Sequence, residues 1–488
     1  MTNSRGRHVT LLTPPRVGRH GDDAIKAEPR GRFKSDASLA PDDVTAFKRA
    51  RERWTSCCPR SSRGPKRRGR TRSGLSPVNV ATRFPRVPQP LGSGQRVCGF
   101  LSSASLCATL DLALCFPPVR SHCPLASRSS FTLKLRGKAL RLDDRGALVL
   151  AAYLRNNGSV TGLDVSYNNI TDEGARRVAE LLKDGNCILK YLNLTFNCVE
   201  AAGAEALADH LKGNASLQVL QLSGNKVGNS GGMHLSRMLQ VNQSLRELQL
   251  IACDLTVESI NALAIVLKSN RTLLCLDVSR PLLFSQQEEW LCHFSDMLAM
   301  NRSLLELHLG TAGVTDCGLE MLTVGLKVNR SLRYLDLRCN RVTQDGTLHL
   351  AQLMEKNCTL EVLDLSFNRI EDEGAVTLSR VLTRPKCSLT QLSVTNNNIS
   401  SEGLSSLAQS LKLNSTLTHM YIRGNKLQEA ISQAYRELMS SGRLPPRHTD
   451  VSVFEADGRF FLAESSNRLR RRYSRYHTPP PGEGAAPL

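Results

Sequence analysis

The chain has 488 residues and a formal net charge of +20, but the charge is unevenly distributed. Residues 1–130 hold 24 Lys and Arg against 8 Asp and Glu, whereas residues 131–440 hold 32 against 31. This division excludes a uniformly basic globular protein. The sequence shows no apolar run typical of a secretory signal, and no stretch reaches the roughly 18 apolar residues of a membrane helix. We therefore expect an intracellular protein without a membrane span.

Residues 1–130 form an Arg-, Pro- and Ser-rich extension. Their basic residues are 20 Arg and only 4 Lys, and aromatic residues are few, so we expect a disordered segment without a stable core. The same Arg bias would also arise in a gene-model extension translated from GC-rich DNA. A basic run at 65–72 resembles a nuclear-import signal and would also attract RNA or acidic proteins. The residues of this candidate signal are Lys66, Arg67, Arg68, Arg70 and Arg72.

From residue 131 the sequence repeats itself with a nearly constant period. The segment from Val160 to Ile170 returns as Leu189 to Val199, and similar segments follow, which makes eleven units. Each unit alternates apolar residues at period two, which predicts a short strand, and then changes to helical spacing. Carboxylates such as Asp172 stand at the helix entries, where we expect them to satisfy free amides. One Asn column predicts a structural ladder, made of Asn168, Asn197, Asn225, Asn340, Asn368, Asn397 and Asn425.

The pattern L-x-x-L-x-L-x-x-N-x-L resembles the leucine-rich repeat, and its period resembles the ribonuclease-inhibitor-like subtype. The resemblance implies an α/β horseshoe solenoid of about 11 units, with parallel strands on the concave face and helices on the convex face. Lateral spacings agree, because strands pack about 4.8 Å apart and helices roughly 8–10 Å apart. We expect this domain to cover 131–440, with an exposed strand face and Asn side chains that pair backbone groups between coils.

Two residue types could suggest extracellular chemistry, but their placement favours another interpretation. Eight Asn-x-Ser/Thr sequons share one repeat position, so we interpret them as left-handed turn residues that end helices, not as glycosylation sites. The 15 cysteines form no CxxC motif and no zinc-type spacing, so we expect reduced, buried thiols at sites such as Cys187, Cys275 and Cys358. We expect no metal site and no cofactor. The sequon residues are Asn157, Asn214, Asn242, Asn270, Asn301, Asn329, Asn357 and Asn414.

The middle of the repeat region is irregular. The ladder column is occupied there by Cys253, Pro281 and Ala312, and the interval from Pro281 to Ala312 is longer than those on either side. Either the sequence has drifted in a tolerant region, or residues 280–290 form a projecting element that a partner contacts. In the first case Trp290 fills a wider space between coils.

The carboxyl end changes pattern again. Residues 450–464 alternate around Asp457-Gly458, which predicts a hairpin. Because a terminal repeat needs its apolar face covered, we predict a capping hairpin over 441–465. We expect residues 466–488 to be a disordered, basic and Pro-rich tail, with a second basic run at 469–475.

Strand alternation assigns six carboxylates, four cationic side chains and two histidines to the concave face. This mixture disfavours duplex nucleic acid, which needs a run of Lys and Arg. No catalytic motif is present, so we predict a noncatalytic protein. Tyr and Arg are enriched in binding hot spots, although these positions could instead be ordinary solvated strand residues. The candidate protein-binding residues are Tyr191, Glu306, His308, Tyr334, Asp336, Arg338, Asp364, Phe367, His419, Tyr421 and Arg423.

These features predict a monomeric protein-protein interaction scaffold or adaptor that binds partners on the concave face. About residues 131–470, including 279–289 and 457–464, resemble one member of the family, which implies a nuclear or nucleolar and cytoplasmic location and a role in regulating undifferentiated cells. The basic ends favour acidic nucleolar proteins as partners. One alternative is a small-GTPase activator like related horseshoes, although the dense acidic tail of those activators is missing. Another is RNA association through the basic ends.

Overall fold

The computed structural model describes residues 130–137, 141–155, 157–183, 188–283 and 288–469. The predictions for the amino-terminal extension, its import signal and the tail from residue 470 lie outside the described residues. Every statement below concerns the described ranges.

The described strands form one eleven-stranded parallel sheet in which each strand pairs with the next along the chain. Leucines occupy the same register position in successive strands: Leu307 pairs with Leu335, and Leu335 with Leu363. The strands are β1 Phe131–Lys134, β2 Val160–Asp164, β3 Tyr191–Asn193, β4 Val219–Gln221, β5 Glu247–Gln249, β6 Cys275–Asp277, β7 Glu306–His308, β8 Tyr334–Asp336, β9 Val362–Asp364, β10 Gln391–Ser393 and β11 His419–Tyr421.

A helix follows each strand of the sheet, and neighbouring helices pack against each other in chain order. Each helix turns one apolar stripe inward, for example Val178, Leu181 and Leu182. The helices are α1 Asp144–Leu154, α2 Asp172–Lys183, α3 Ala201–Leu211, α4 Gly228–Val241, α5 Val257–Leu267, α6 Trp290–Met300, α7 Asp316–Val328, α8 Gln344–Lys356, α9 Glu371–Leu382, α10 Ser401–Leu413 and α11 Glu429–Ser440.

One continuous apolar core lies between the sheet and the helices. Leu163, Leu335 and Leu363 are all fully buried in it. Because each repeat covers the apolar side of its neighbour, the core has no internal boundary across the solenoid. The predicted α/β leucine-rich repeat solenoid of eleven units is confirmed.

The asparagine ladder joins successive repeats after each strand. Asn368 Nδ2 donates to the Leu365 carbonyl of its own repeat at 2.9 Å and to the Leu337 carbonyl of the preceding repeat at 3.0 Å. Its Oδ1 accepts from the Val342 amide at 3.0 Å. All seven predicted ladder residues make bonds of this kind, so buried backbone groups at the turns are satisfied.

Seven of the eight sequon asparagines, all except Asn157, form a second ladder at the opposite end of the strands. Asn329 Nδ2 donates to the Leu298 carbonyl of the preceding helix at 2.7 Å, and its Oδ1 accepts from the amides of Ser331 and Leu332. The expected left-handed conformation is wrong. Asn329 has φ −66° and ψ 141°, because an extended residue is what directs the chain from the helix into the next strand. The side chain of Asn329 is fully buried, which leaves no room for a glycan.

The helix-entry carboxylates cap helices, but in the next repeat. Asp172, the first residue of α2, accepts from the amides of Glu200 and Gly203 at the start of α3, at 2.7 and 2.9 Å. Asp372 does the same for Ser400 and Gly403. The free amides of one helix are therefore satisfied by its neighbour, which adds a third set of bonds between repeats.

A hairpin follows the last repeat. Strands β12 Val451–Ala456 and β13 Arg459–Glu464 pair antiparallel around Asp457 and Gly458, which both have positive φ as a type I′ turn requires. Just before β12, Asp450 Oδ1 accepts from the Ile422 and Arg423 amides at 2.7 and 3.2 Å. A carboxylate thus satisfies amides at the open edge of the sheet, next to β11.

In the irregular middle, residues 284–287 lie outside the described residues. On both sides of them, the chain makes the same kinds of contact as the regular repeats. Trp290 is 2% exposed and meets the Phe294 ring edge-on at 5.4 Å. Glu288 accepts from the Thr315 amide at 2.7 Å, in the manner of the helix-entry aspartates. The described flanks therefore belong to the packed body of the solenoid.

The expectation of buried thiols holds for only part of the described cysteines. Cys253, Cys275 and Cys387 are buried, and all eight described cysteines are free. Cys358, expected to be buried, is exposed, as are Cys292 and Cys317. The third example, at position 187, lies outside the described residues. Burial therefore does not by itself explain the cysteines of this chain.

Candidate protein-binding surface on the concave face

Each strand and the residues just after it present three alternate residues to the concave face, here named the first, third and fifth positions. In β8 and the residues after it these are Tyr334, Asp336 and Arg338. Because the parallel register is constant, the same positions of neighbouring strands stand side by side. The third position, for example, reads Asp277, His308, Asp336 and Asp364 across β6 to β9. Three rows of side chains therefore run across the sheet.

The expected exposure of the inner sheet is wrong at its centre. Glu306, His308, Tyr334, Asp336 and Asp364 are at most 5% exposed. Strands only about 4.8 Å apart bring side chains of equal register into contact, and on the concave side of a bend these side chains converge. The alternative of ordinary solvated positions is therefore excluded for these five residues.

The buried side chains at the centre form a network of charged groups. His308 Nδ1 lies 3.3 Å from Asp336 Oδ2, and His308 Nε2 lies 3.5 Å from Glu306 Oε2. Arg338 Nε lies 3.4 Å from the same Asp336 Oδ2. Asp336 thus connects an imidazole and a guanidinium, and it also accepts from the Arg338 amide at 3.0 Å.

The two aspartates of this network have opposite pKa shifts. Burial tends to raise the pKa of Asp336, but Arg338 and His308 outweigh burial and hold it below the usual value. Burial raises the pKa of Asp364 to about 6, and the nearby charge of Asp336 acts in the same direction. Arg338 lowers the pKa of Asp364 by less than these two effects raise it. Asp336 is therefore the ionised partner of Arg338. Burial and the like charge of Asp336 disfavour the anionic form of Asp364.

Two further groups at the centre carry large shifts. Burial opposes the charged imidazole, yet hydrogen bonds to Asp336, Cys275 and Glu306 raise the pKa of His308 well above its usual value. Burial raises the pKa of the Cys275 thiol to about 12, against a hydrogen bond from His308. Tyr334, whose pKa is raised by burial and by Asp364, has a buried hydroxyl without a hydrogen-bond partner in the part of the chain that the structure describes.

The centre of the concave face holds more acidic than basic side chains. The first, third and fifth positions of β5 to β9 hold one guanidinium, Arg338, and one imidazole, His308. A buried carboxylate is costly unless a positive group or several donors offset it. Five carboxyl groups, each at most 5% exposed, stand beside this one guanidinium and one imidazole: Glu247, Asp277, Glu306, Asp336 and Asp364.

A rim of left-handed residues borders the concave face, one residue before each ladder position. Phe367 has φ 59° and is half-buried, and Asn396 occupies the same place in the next repeat with φ 54°. Towards the amino-terminal end, Tyr167 stacks on Phe196 with ring centroids 4.9 Å apart. The fixed backbone places these side chains at the edge of the groove, where they remain accessible.

The remaining predicted residues lie towards the ends of the sheet. Tyr191 Oη donates to Gln221 Oε1 at 3.0 Å. His419 stacks on Tyr421 at 6.3 Å and on His448 at 4.0 Å, and Arg423 gives its amide to Asp450. His419, Tyr421 and Arg423 thus lie together, but they contact the segment that leads into the hairpin. The structure joins Glu306, His308, Tyr334, Asp336, Arg338 and Asp364 in one separate group.

Sequence reasoning missed Cys275 as a member of the central group. Cys275 Sγ lies 3.7 Å from Glu306 Oε2, and the Cys275, Glu306 and His308 donor atoms all lie within 4.8 Å of one another. Cys275 and Glu306 pair in register, although a whole repeat separates them in sequence. Comparing the first-position column across repeats would have placed Cys275 next to Glu306.

Comparison with known proteins agrees with the repeat architecture. A family model described as Leucine Rich repeat matches residues 156–179, 185–208, 213–236, 328–351, 356–379 and 386–408. These matches fall on both sides of residues 253–312, where the ladder column lacks asparagine.

Several curated proteins are similar to this chain over part of their length. Leucine-rich repeat-containing protein 34 of Mus musculus is 42% identical over 235 residues, which cover 48% of this chain and 56% of that protein. The Homo sapiens protein of the same name is 49% identical over 198 residues, which cover 41% and 43%. The Rattus norvegicus protein is 43% identical over 218 residues, which cover 45% and 52%. The chain thus spans about half the length of the curated relatives it matches.

Solved structures with some similarity include leiomodin-1 actin-binding site 2, at 16% identity and a TM-score of 0.25, covering 36% of this chain and 86% of that one. A Caenorhabditis elegans tropomodulin C-terminal domain gives 14% identity and a TM-score of 0.27, covering 32% and 92%. Among the described helices, none is long and apolar enough to cross a bilayer. The chain carries leucine-rich repeats folded as an α/β solenoid, and it is similar to leucine-rich repeat-containing protein 34.

Proposed function

We propose that the chain is a noncatalytic protein-protein interaction scaffold whose partners bind the centre of the concave face. The observation that carries this proposal is the state of Arg338. Its side chain is 17% exposed, and its guanidinium is held against Asp336, whose side chain is 1% exposed. A cationic side chain is thereby fixed in one position while part of it still faces solvent.

Arg338 has the properties of a binding hot spot. Ordering a long side chain on association costs roughly 0.5–1.5 kcal/mol, and this cost is smaller when the free protein already orders it. A guanidinium has five N–H donors, so the bond to Asp336 leaves others for acceptors on a partner. Arg residues of this kind dominate the energy of many interfaces.

Phe367 supplies the apolar part of the same surface. It belongs to the rim beside Asp364 and the residues that follow β9, and it is half-buried. Hot spots combine aromatic and Arg side chains and sit where surrounding residues exclude water. The pair of Arg338 and Phe367 therefore supports docking at the centre, whereas His419, Tyr421 and Arg423 are engaged by the carboxyl-terminal segment.

The finer parts of the proposal are a nuclear or nucleolar and cytoplasmic location, acidic partner proteins and a role in regulating undifferentiated cells. The location and the role are what the resemblance of the repeat region to one family member implies, and they are part of the proposal. The basic run that includes Lys66 and Arg72 supports import and acidic partners. The proposal also includes a monomeric state, with the concave face free for a different protein.

The test begins with proximity labelling in cells, which supplies candidate partners, and continues with titration of each purified partner against the full chain. Arg338→Ser introduces the residue type found at the equivalent position of the next repeat, Ser366. We expect it to weaken binding at least tenfold. The matched control is Arg302→Ser, which removes the same charge at an exposed position outside the concave rows.

Circular dichroism and the unfolding midpoint establish that each variant is folded. Equal affinities of wild type, Arg338→Ser and Arg302→Ser for every captured partner would remove the centre of the concave face as the binding surface.

A further inference from the structure

We propose that Cys275, Glu306 and His308 form a zinc site on the concave face, with one thiolate, one carboxylate and one imidazole as ligands. The site goes beyond partner binding and does not depend on it. Cys275 and Glu306 are neighbours in the first-position row, and His308 occupies the third position of the same strand as Glu306.

The distances between the donor atoms match those of a tetrahedral zinc ion. Zinc bonds of about 2.3 Å to sulfur and about 2.0–2.2 Å to nitrogen or oxygen place sulfur about 3.6 Å from a nitrogen or oxygen ligand, and two such ligands about 3.4 Å apart. Cys275 Sγ lies 3.7 Å from Glu306 Oε2, and His308 Nε2 lies 3.5 Å from the same oxygen. Both distances are close to those values, and all three donor atoms lie within 4.8 Å of one another, so side-chain adjustments bring them onto three corners of the tetrahedron.

The surrounding residues are those that orient a metal-bound histidine. In such sites the ring nitrogen that is not bound to the metal usually donates to a carboxylate. His308 Nδ1 lies 3.3 Å from Asp336 Oδ2, and Arg338 holds that carboxylate from its other side. This arrangement leaves Nε2 directed to Glu306 and Cys275.

A further observation supports a ligand at this place. The Tyr334 hydroxyl, in register beside Glu306, is buried without a hydrogen-bond partner among the described residues. A water on the fourth position of the zinc is the kind of partner that this hydroxyl lacks.

The donor set selects zinc over harder cations. Thiolate and imidazole ligands suit Zn²⁺, whereas Mg²⁺ and Ca²⁺ prefer oxygen alone. On binding, Cys275 forms the zinc–sulfur bond as the sulfur–hydrogen bond breaks, and the proton passes to solvent. His308 binds through neutral Nε2 and likewise releases its second proton. No oxidant or reductant takes part.

The test uses the full chain, stripped of metal with a chelator and then dialysed against dilute Zn²⁺, with no partner protein present. Cys275→Ser and His308→Gln are each expected to hold one zinc ion fewer per chain than wild type. Cys358→Ser is the matched control, because it makes the same substitution at an exposed cysteine, and it is expected to retain the wild-type number. Asp336→Asn, which alters the support of His308, is expected to weaken zinc binding about 10- to 100-fold.

A second measurement covers the case in which a variant does not fold. Co²⁺ replaces Zn²⁺ in wild type, and the near-ultraviolet thiolate-to-cobalt absorption and the zinc X-ray absorption edge report the ligands directly. We expect a sulfur ligand about 2.3 Å from zinc. A metal count that is the same in folded Cys275→Ser, folded His308→Gln and wild type overturns the proposal. A wild-type first shell of nitrogen and oxygen alone overturns it equally.

Discussion

The centre of the concave face, β5 to β9, and its flanks, β3, β4, β10 and β11, share one backbone register but differ in chemistry. At the first position the centre is buried throughout, whereas Tyr191, Val219, Gln391 and His419 on the flanks are half-buried. At the third position β5 holds Gln249 and β6 to β9 hold Asp277, His308, Asp336 and Asp364, while the flanks hold the neutral Asn193, Gln221, Ser393 and Tyr421. Charge is thus concentrated where side chains are least solvated.

The same comparison extends to the asparagine ladder. The ladder is complete after the flanking strands but is interrupted after β5, β6 and β7, where Cys253, Pro281 and Ala312 occupy its column. The flanks therefore keep every ladder bond, whereas the centre loses them after three of its five strands and gains buried carboxyl groups. Proteins keep such unfavourable arrangements mainly where function requires them, which is why we place the function at the centre.

Removing the Asp336 side chain gives the largest expected loss of unfolding free energy. Asn193, at the same position of β3, provides the comparison from the flank. Asp336→Ala leaves Arg338 and His308 buried without their shared acceptor, and we expect a loss of about 3 to 5 kcal/mol. Asn193→Ala removes one bond, from the Thr195 amide at 2.9 Å, and we expect a loss of about 1 kcal/mol. Urea unfolding followed by circular dichroism measures both. Similar losses in the two variants would remove the distinction between centre and flank.

The pH dependence of stability tests the raised pKa of Asp364, about 6 against a usual value of 3.8. The folded state holds this proton more tightly than the unfolded chain, so the stability from this group is full below pH about 4 and is lost as the pH rises through about 6. Asp364→Asn keeps an oxygen that accepts from Ser366 and removes the titration. We expect its advantage over wild type to grow by about 2 to 3 kcal/mol from pH about 4 to about 8.

The readout for this pair is the urea midpoint at each pH. Asp143→Asn, at the cap of α1 and far from the central network, serves as a charge-matched control. A difference between wild type and Asp364→Asn that stays constant over the whole pH range would contradict the raised pKa.

Repairing the ladder at the centre has the smallest expected effect. Cys253 is buried, and its thiol donates weakly to the Leu222 carbonyl at 3.2 Å. Cys253→Asn restores the donor that the flanking repeats have, so we expect a gain of about 1 kcal/mol in unfolding free energy. Cys358→Asn, at an exposed site, should change it by less than about 0.5 kcal/mol. A loss on Cys253→Asn would show that the central turn no longer accommodates the ladder geometry.

The fold could be predicted almost completely because its causes are local and repeated. Alternation such as Leu163 and Val165 marks a strand, and the Asn368 column marks the turn where that strand ends. One local conformation was wrong. Asn329 and its equivalents were expected to be left-handed. Asn329 is extended because its Oδ1 already accepts two amides that follow and no left-handed turn is needed, and the same extended conformation is found at Asn242, Asn301, Asn357 and Asn414.

The site could be predicted only in part, because burial on the concave face depends on residues of neighbouring repeats. Alternation correctly turned Asp336 and Arg338 to that face, but it could not show that Glu306 and His308 pack against them. Spacing along the chain also gave no sign of Cys275, because zinc motifs are recognised by pairs of ligands that lie only a few residues apart. The relevant spacing is one whole repeat, and it has meaning only once the register is known.

The claim that the centre and not the flank binds the partner is tested most directly at the rim. Phe367→Asn and Phe196→Asn each copy the residue found at Asn396, in the left-handed conformation that all three positions share. Isothermal titration of a captured partner with both full-length variants should show at least tenfold weaker binding for Phe367→Asn and less than about twofold change for Phe196→Asn. The reverse order, or two equal affinities, would contradict the account.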